Sequence, residues 1–178
     1  MGYSIELYFN KDFEEILKSY WKELYDKGIC DFMYKEAGRP HLALLVFDDK
    51  VDEGKLTEVY KLFSNEIQKF SLYMASIGVF PSSGGVSFIK PKVTNELLDL
   101  HKKLYKIAVN SGLDSNIDEL YKPNLWVPHC TMTIGIDNDR LMKGLSLLVN
   151  RFKVMEGKVE SIALTRFYPL DIKYIRQI

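Results

Sequence analysis

Hydrophobic positions recur along this chain in two rhythms. Tyr3 to Phe9 alternates closely enough to predict a strand. From Asp12 to Leu24, Phe13, Ile16, Leu17, Tyr20, Trp21 and Leu24 fall at i, i+3, i+4 spacing, which predicts an amphipathic helix. Asp12 is its expected N-cap and Gly28 its terminator. His41 to Phe47 (HLALLVF) is short and almost wholly apolar, bounded by Pro40 and Asp48-Asp49, and reads as a buried strand. Helical spacing returns over Glu53 to Phe70, with Leu56, Val59, Tyr60, Phe63 and Ile67 on one stripe. Ser71 to Phe80 and Val86 to Ile89 read as strands joined by a turn at Pro81-Ser82-Ser83-Gly84-Gly85. Thr94 to Val109 is a helix capped by Thr94. A strand over Trp126 to Ile136, a helix over Asp139 to Phe152, and strands over Val154 to Leu164 and Arg166 to Ile175 complete the series.

That order, β-α-β-α-β-β-α-β-α-β with one more strand at the end, predicts an α+β fold with helices packed on one side of sheet. No linker or low-complexity tract divides residues 1–178, so a single domain is expected. Composition agrees with a packed core: 47% of residues are apolar and 27% charged. Lysine plus arginine balance aspartate plus glutamate at 24 each. A protein gripping duplex nucleic acid through its phosphates carries a basic excess, so a small ligand or a nucleic-acid terminus is the expected partner. Two cysteines, Cys30 and Cys130, make no disulfide framework. The first residues lack the basic flank and apolar run of a signal peptide, and no apolar run reaches membrane-spanning length. The expectation is a reduced, cytoplasmic monomer without a membrane partner.

Chemistry concentrates in two matching phrases. Arg39-Pro40-His41-Leu42-Ala43-Leu44 and Val127-Pro128-His129-Cys130-Thr131-Met132 each place a histidine after a proline at the head of an apolar stretch. With three histidines and six prolines in the chain, two such pairs arise by chance roughly once in 300 shuffles. Alternate residues of a strand face one side. His129 and Thr131 therefore share a face, with Thr133 beyond them, while Cys130 and Met132 point into the hydrophobic layer. His41 shares its face with Ala43.

These paired Pro-His phrases half a chain apart resemble the twice-used P-H-x-[ST] phrase of the two-histidine phosphoesterase superfamily, which includes the 2′–5′ RNA ligase-like cyclic phosphodiesterases. The segments Gly78-Val79-Phe80-Pro81, Val86-Ser87-Phe88-Ile89 and Leu97 to His101 are similar to the middle of that family. The resemblance implies a duplicated, bilobed fold: two pseudo-symmetric lobes, their antiparallel sheets forming a central cleft with helices outside, and His41 facing His129 across it. It also implies action on 2′,3′-cyclic phosphates, 2′–5′ phosphodiester links or related phosphoesters of nucleotides or RNA ends.

Two imidazoles suit that chemistry without a metal or other cofactor, one as base and one as acid. Thr131 is the expected phosphate anchor. Ala43 departs from the family phrase, and the lost hydroxyl is worth on the order of 3 kcal/mol, about a hundredfold in rate. That keeps a second reading open, a nucleotide- or RNA-end-binding module without turnover. Arg39, Lys90 and Arg166 are candidates to steer phosphate, equally read as solvated surface. Phe80, Trp126, Phe167 and Tyr168 are candidates to stack on a base, or else core. His101 reads as a packing residue of its helix and Thr133 as structural. No phosphate loop, H-E-x-x-H or metal-spaced carboxylate cluster is present, and the histidine pair lacks a third zinc ligand.

Overall fold

In the computed structural model, which describes residues 2–81 and 83–178, β1 (Gly2–Phe9) is an interior strand of the sheet and is buried along its whole length. Ser82, part of the expected 81–85 turn, and Met1 lie outside the described residues. The chain continues through α1 (Lys11–Asp26), a short α2 (Phe32–Lys35), β2 (His41–Asp48) and α3 (Glu53–Ser64). Then come β3 (Phe70–Phe80), β4 (Val86–Pro91), α4 (Asn95–Asn110), β5 (Cys130–Thr133), α5 (Asn138–Arg151), β6 (Met155–Phe167) and β7 (Asp171–Gln177). Every strand pairing is antiparallel. The α+β class read from the pattern is the class observed.

Hydrogen bonding runs continuously in the order β2-β1-β6-β3-β4-β5, so the strands form one bonded sheet rather than two. The reason is β6, which is long enough to serve two neighbourhoods. Its Val159–Phe167 stretch pairs with β1, whereas Met155–Val159 pairs with β3 and Ser161–Arg166 with β7. The strands bearing the two phrases thus lie at the two ends of the strand order. They nevertheless approach each other, because the Cys130 thiol of β5 lies against the backbone of His41.

Several boundaries move. α1 is capped at Asn10 rather than Asp12, since Asn10 is extended (φ −61, ψ 154) while its side chain accepts from the Lys158 N–H. α3 stops at Ser64, six residues before Phe70. The Glu66 N–H turns back to the Phe63 carbonyl, and Ile67 is buried from outside the helix, which is why its spacing imitated helix. β5 keeps only four of the expected residues: Pro128 has no N–H for a ladder, and Gly135 turns the chain at φ 70. β6 continues through Thr165 to Phe167, and the hairpin turn falls at 168–170, because alternation marks a strand's face but not its end.

The core gathers Ile5, Leu7, Leu17, Leu24, Leu42 and Leu44, all with no exposed surface. Burying each contributes roughly 1.5–3 kcal/mol. β2 shows how this positions the site. Leu42 and Leu44 are buried while His41, Ala43 and Val46 are partly open, so packing one face of the strand turns the other toward a cavity.

Candidate active site

His41 and His129 are held alike. Nδ1 of His41 bonds the Arg39 carbonyl at 2.9 Å, and Nδ1 of His129 bonds the Val127 carbonyl at 2.7 Å, in each case two residues back. A carbonyl only accepts, so Nδ1 carries the hydrogen and Nε2 is left as the nitrogen that can take up or release a proton. The proline between each histidine and its carbonyl fixes the backbone that brings the two together.

The second shared device uses the two tryptophans. Trp126 donates its indole N–H to the Ala43 carbonyl at 3.1 Å, and Trp21 donates to the Thr131 carbonyl at 2.9 Å. Both acceptors stand two residues after a histidine. Trp126 is therefore a buried strut, stacked face to face on His101 at 4.0 Å, and not a free platform for a base. His101 in turn bonds the Tyr121 carbonyl, and burial depresses its pKa.

A cavity of about 480 Å³ opens at this junction and is lined by His41, Ala43 and Thr131 together with Glu6, Tyr121 and Tyr168. The structure thus brings one phrase's histidine and the other phrase's threonine to a single hollow. His129 is not among the residues that line it; the ring is half-buried, edge-on to Phe80 at 5.0 Å and against Phe88 at 5.2 Å. Burial pushes its pKa below the usual 6.5, and the nearby charge of His41 pushes it further the same way.

The remaining candidates separate. Phe80 touches His129, and Tyr168 and Phe167 line the cavity. Arg39 is committed elsewhere: its guanidinium pairs with Glu14 and lies 4.3 Å over the Tyr8 ring, where it fastens β2 to α1 and β1. Arg166 lies 5.9 Å over the Tyr3 ring. Lys90 is half-buried on β4 opposite Ser76. Thr133 is fully buried, donating to the Gly85 carbonyl and accepting from the Ser87 N–H, so it holds β5 to β4. Cys130 has no exposed surface, and burial pushes its thiol up to about 12, so it is no nucleophile at neutral pH.

Sequence reasoning passed over Glu6, Ser4 and Tyr121. The signal was present for the first two: a glutamate and a serine on alternate positions of a strand otherwise built of Tyr, Ile, Leu and Phe. Buried carboxylates are rare without a reason. Tyr121 comes from a 3-10 turn (Glu119–Tyr121) that no periodicity announces; burial, with Asp118 and Glu6 nearby, pushes its phenol up to about 12. A second hollow of about 600 Å³ between α1 and α5 contains none of the predicted site residues. Among the described residues, no three His, Cys, Asp or Glu side chains group as metal ligands, and no helix is long and apolar enough to cross a membrane.

Comparison with known proteins meets this geometry. The family model of the 2'-5' RNA ligase superfamily matches residues 12–168. The chain belongs to that superfamily. A Bacillus licheniformis protein named provisionally as a phosphoesterase is 28% identical over 174 residues, covering 96% of this chain and 92% of its own length. Among solved structures, Escherichia coli LigT complexed with 3'-AMP superposes with a TM-score of 0.63 at 15% identity, covering 99% of this chain and 97% of LigT. TT0787 of Thermus thermophilus gives 0.66 at 16% identity with the same coverage. At such identities the superfamily likeness in structure is a likeness of fold. It agrees with the antiparallel α+β arrangement described above.

Proposed function

We propose that this protein is a phosphoesterase that opens, or reversibly forms, 2′,3′-cyclic phosphate or 2′–5′ phosphodiester bonds on nucleotides or RNA ends, within a single domain of two related lobes. The observation that carries the reading is the paired Nδ1 tether. Two histidines far apart in the chain, one opening β2 and one just before β5, each keep Nε2 for proton transfer, and the cavity that His41 lines also holds Thr131.

His129, which burial keeps neutral, takes the proton from an attacking water or hydroxyl. His41, whose Nε2 lies 3.7 Å from the Glu6 carboxylate, gives a proton to the leaving oxygen. The Thr131 hydroxyl donates to a non-bridging oxygen as charge grows there. The scheme calls on no metal. A nucleotide ligand is supported by LigT, which has been crystallised with 3'-AMP, NADP+ and ATP.

A second reading, a binding module without turnover, draws on Ala43, whose methyl group stands where the family phrase carries a hydroxyl. Incubation with 2′,3′-cyclic nucleotides across a pH series separates the two. The enzyme gives a bell-shaped rate that His41→Ala and His129→Ala each abolish. Saturable binding without product in the wild type would establish the module instead.

A further inference from the structure

β1 supplies the cavity with a carboxylate that needs its own explanation. Glu6 pairs directly across the strands with Ala43, the position without a hydroxyl, and is only 4% exposed. Ser4 donates to its Oε1 and Thr165 to its Oε2 at 3.3 Å, and Oε1 lies 3.7 Å from His41 Nε2. The guanidinium beyond the Tyr8 ring, Arg39, is already held by Glu14. Among the described residues lining the cavity, Glu6, Glu36 and Asp118 are acidic and none is lysine or arginine. A phosphate within reach of His41 and Thr131 therefore sits beside a buried negative charge, not in a cationic cradle.

We propose that Glu6 is the specificity-determining residue of this cleft, making it accept singly charged phosphodiesters, cyclic ones included, and reject doubly charged phosphomonoesters. This rests on the phosphoester reading of the cleft given above. A diester carries one negative charge, and a monoester carries two once its second proton is lost near about pH 6. At about 6 Å and an effective dielectric of about 20, each added charge beside a carboxylate weakens binding roughly a hundredfold.

The preference also gives hydrolysis a direction. Water oxygen bonds to phosphorus, one ring P–O bond breaks, and the freed ribose oxygen takes a proton. The new monoester then releases a proton to solvent. The ligand passes from one negative charge to two, from a form the cleft holds to a form it expels.

Calorimetric titration tests this with two ligands that cannot cyclise: a 2′-deoxynucleoside 3′-phosphate and its methyl ester. Wild-type protein at pH 8 is expected to bind the methyl ester at least tenfold more tightly. At pH 5.5, where the monoester carries one charge, the gap closes. The groups facing Glu6 are His41 on β2, Tyr8 on its own strand, and Asp118 and Tyr121 before β5; both ligands meet the same groups, so the affinity ratio is the readout. Glu6→Gln retains one oxygen to accept from Ser4 or Thr165, and its amide N–H can donate to the other hydroxyl once that rotates; it is expected to lose most of the pH 8 gap. Equal affinities in the wild type at pH 8, or an undiminished gap in Glu6→Gln, overturn the inference while leaving the cleft a phosphoester site. Binding of neither ligand removes the phosphoester reading and this inference with it. If Glu6→Gln does not fold, the wild-type ratio and its pH dependence decide alone.

Discussion

Gly78 offers a sharp test of whether the aromatic wall around His129 sets the rate. It lies cross-strand from Phe88, and a Cβ added there would stand 2.4 Å from Cζ and 2.5 Å from Cε2 of that ring. Tight contact normally ends near 3.4 Å, so Gly78→Ala forces the ring tip back by the difference from 2.4 Å, 1.0 Å. Phe88 is 4% exposed and packed between Phe80 at 4.4 Å and His129 at 5.2 Å, so the displacement is passed to those rings. Overpacking of this kind costs about 1–3 kcal/mol, a fall in Tm of roughly 2–12 °C for a chain of this size. Displacing a reacting group by about 1 Å costs on the order of a hundredfold in rate. Gly78→Ala is therefore expected to lower kcat on a 2′,3′-cyclic nucleotide roughly 10- to 100-fold, a range set by that estimate, with KM little changed. Adding Phe88→Leu, which removes the clashing atoms, should recover much of the loss. A lower Tm with kcat within about twofold of wild type would refute the idea that Phe88 positions His129.

Other outcomes follow from the same geometry. Thr131→Val keeps the backbone carbonyl that Trp21 bonds and removes only the hydroxyl, so kcat should fall on the order of a hundredfold while Tm holds. Because burial lowers the His129 pKa, the acid limb of the kcat/KM profile should lie below pH 6.5; a limb at or above 6.5 would contradict its role as the base. His101 is also depressed by burial, so the unfolded chain binds protons that the folded one does not as pH falls through 6.5. Stability in denaturant titrations should be full above that pH and decline below it, and His101→Gln should shrink the slope. Iodoacetamide should leave activity intact, since Cys30 and Cys130 are both buried and the Cys130 thiol is pushed up to about 12. A chelator should likewise leave the rate unchanged, as expected of a two-imidazole mechanism.

Local structure and the identity of the two phrases could be read from the residues alone. Apolar period separates strand from helix over stretches such as β2 and α1, because each must bury one face. Scarcity made the histidines legible: three in the chain, two in the same phrase. The alternating face of β2, with Leu42 and Leu44 inward and His41 and Ala43 outward, is dictated by the pleat and needed no partner strand.

Tertiary structure alone decided what stands around them. Nothing in a periodicity says that β6 is shared between β1 and β3, since pairing partners are chosen by long-range contacts. The same holds for the indole of Trp126 reaching the Ala43 carbonyl, and for Arg39 being spent on Glu14 instead of a ligand. Glu6 shows the division most clearly. Its charge and its strand were visible from the start, but its meaning depends on lying opposite Ala43 and beside His41. A sequence fixes which chemical groups exist and which way each local face turns. Electrostatics acts through space over a few ångströms, so only the folded chain determines which groups feel one another.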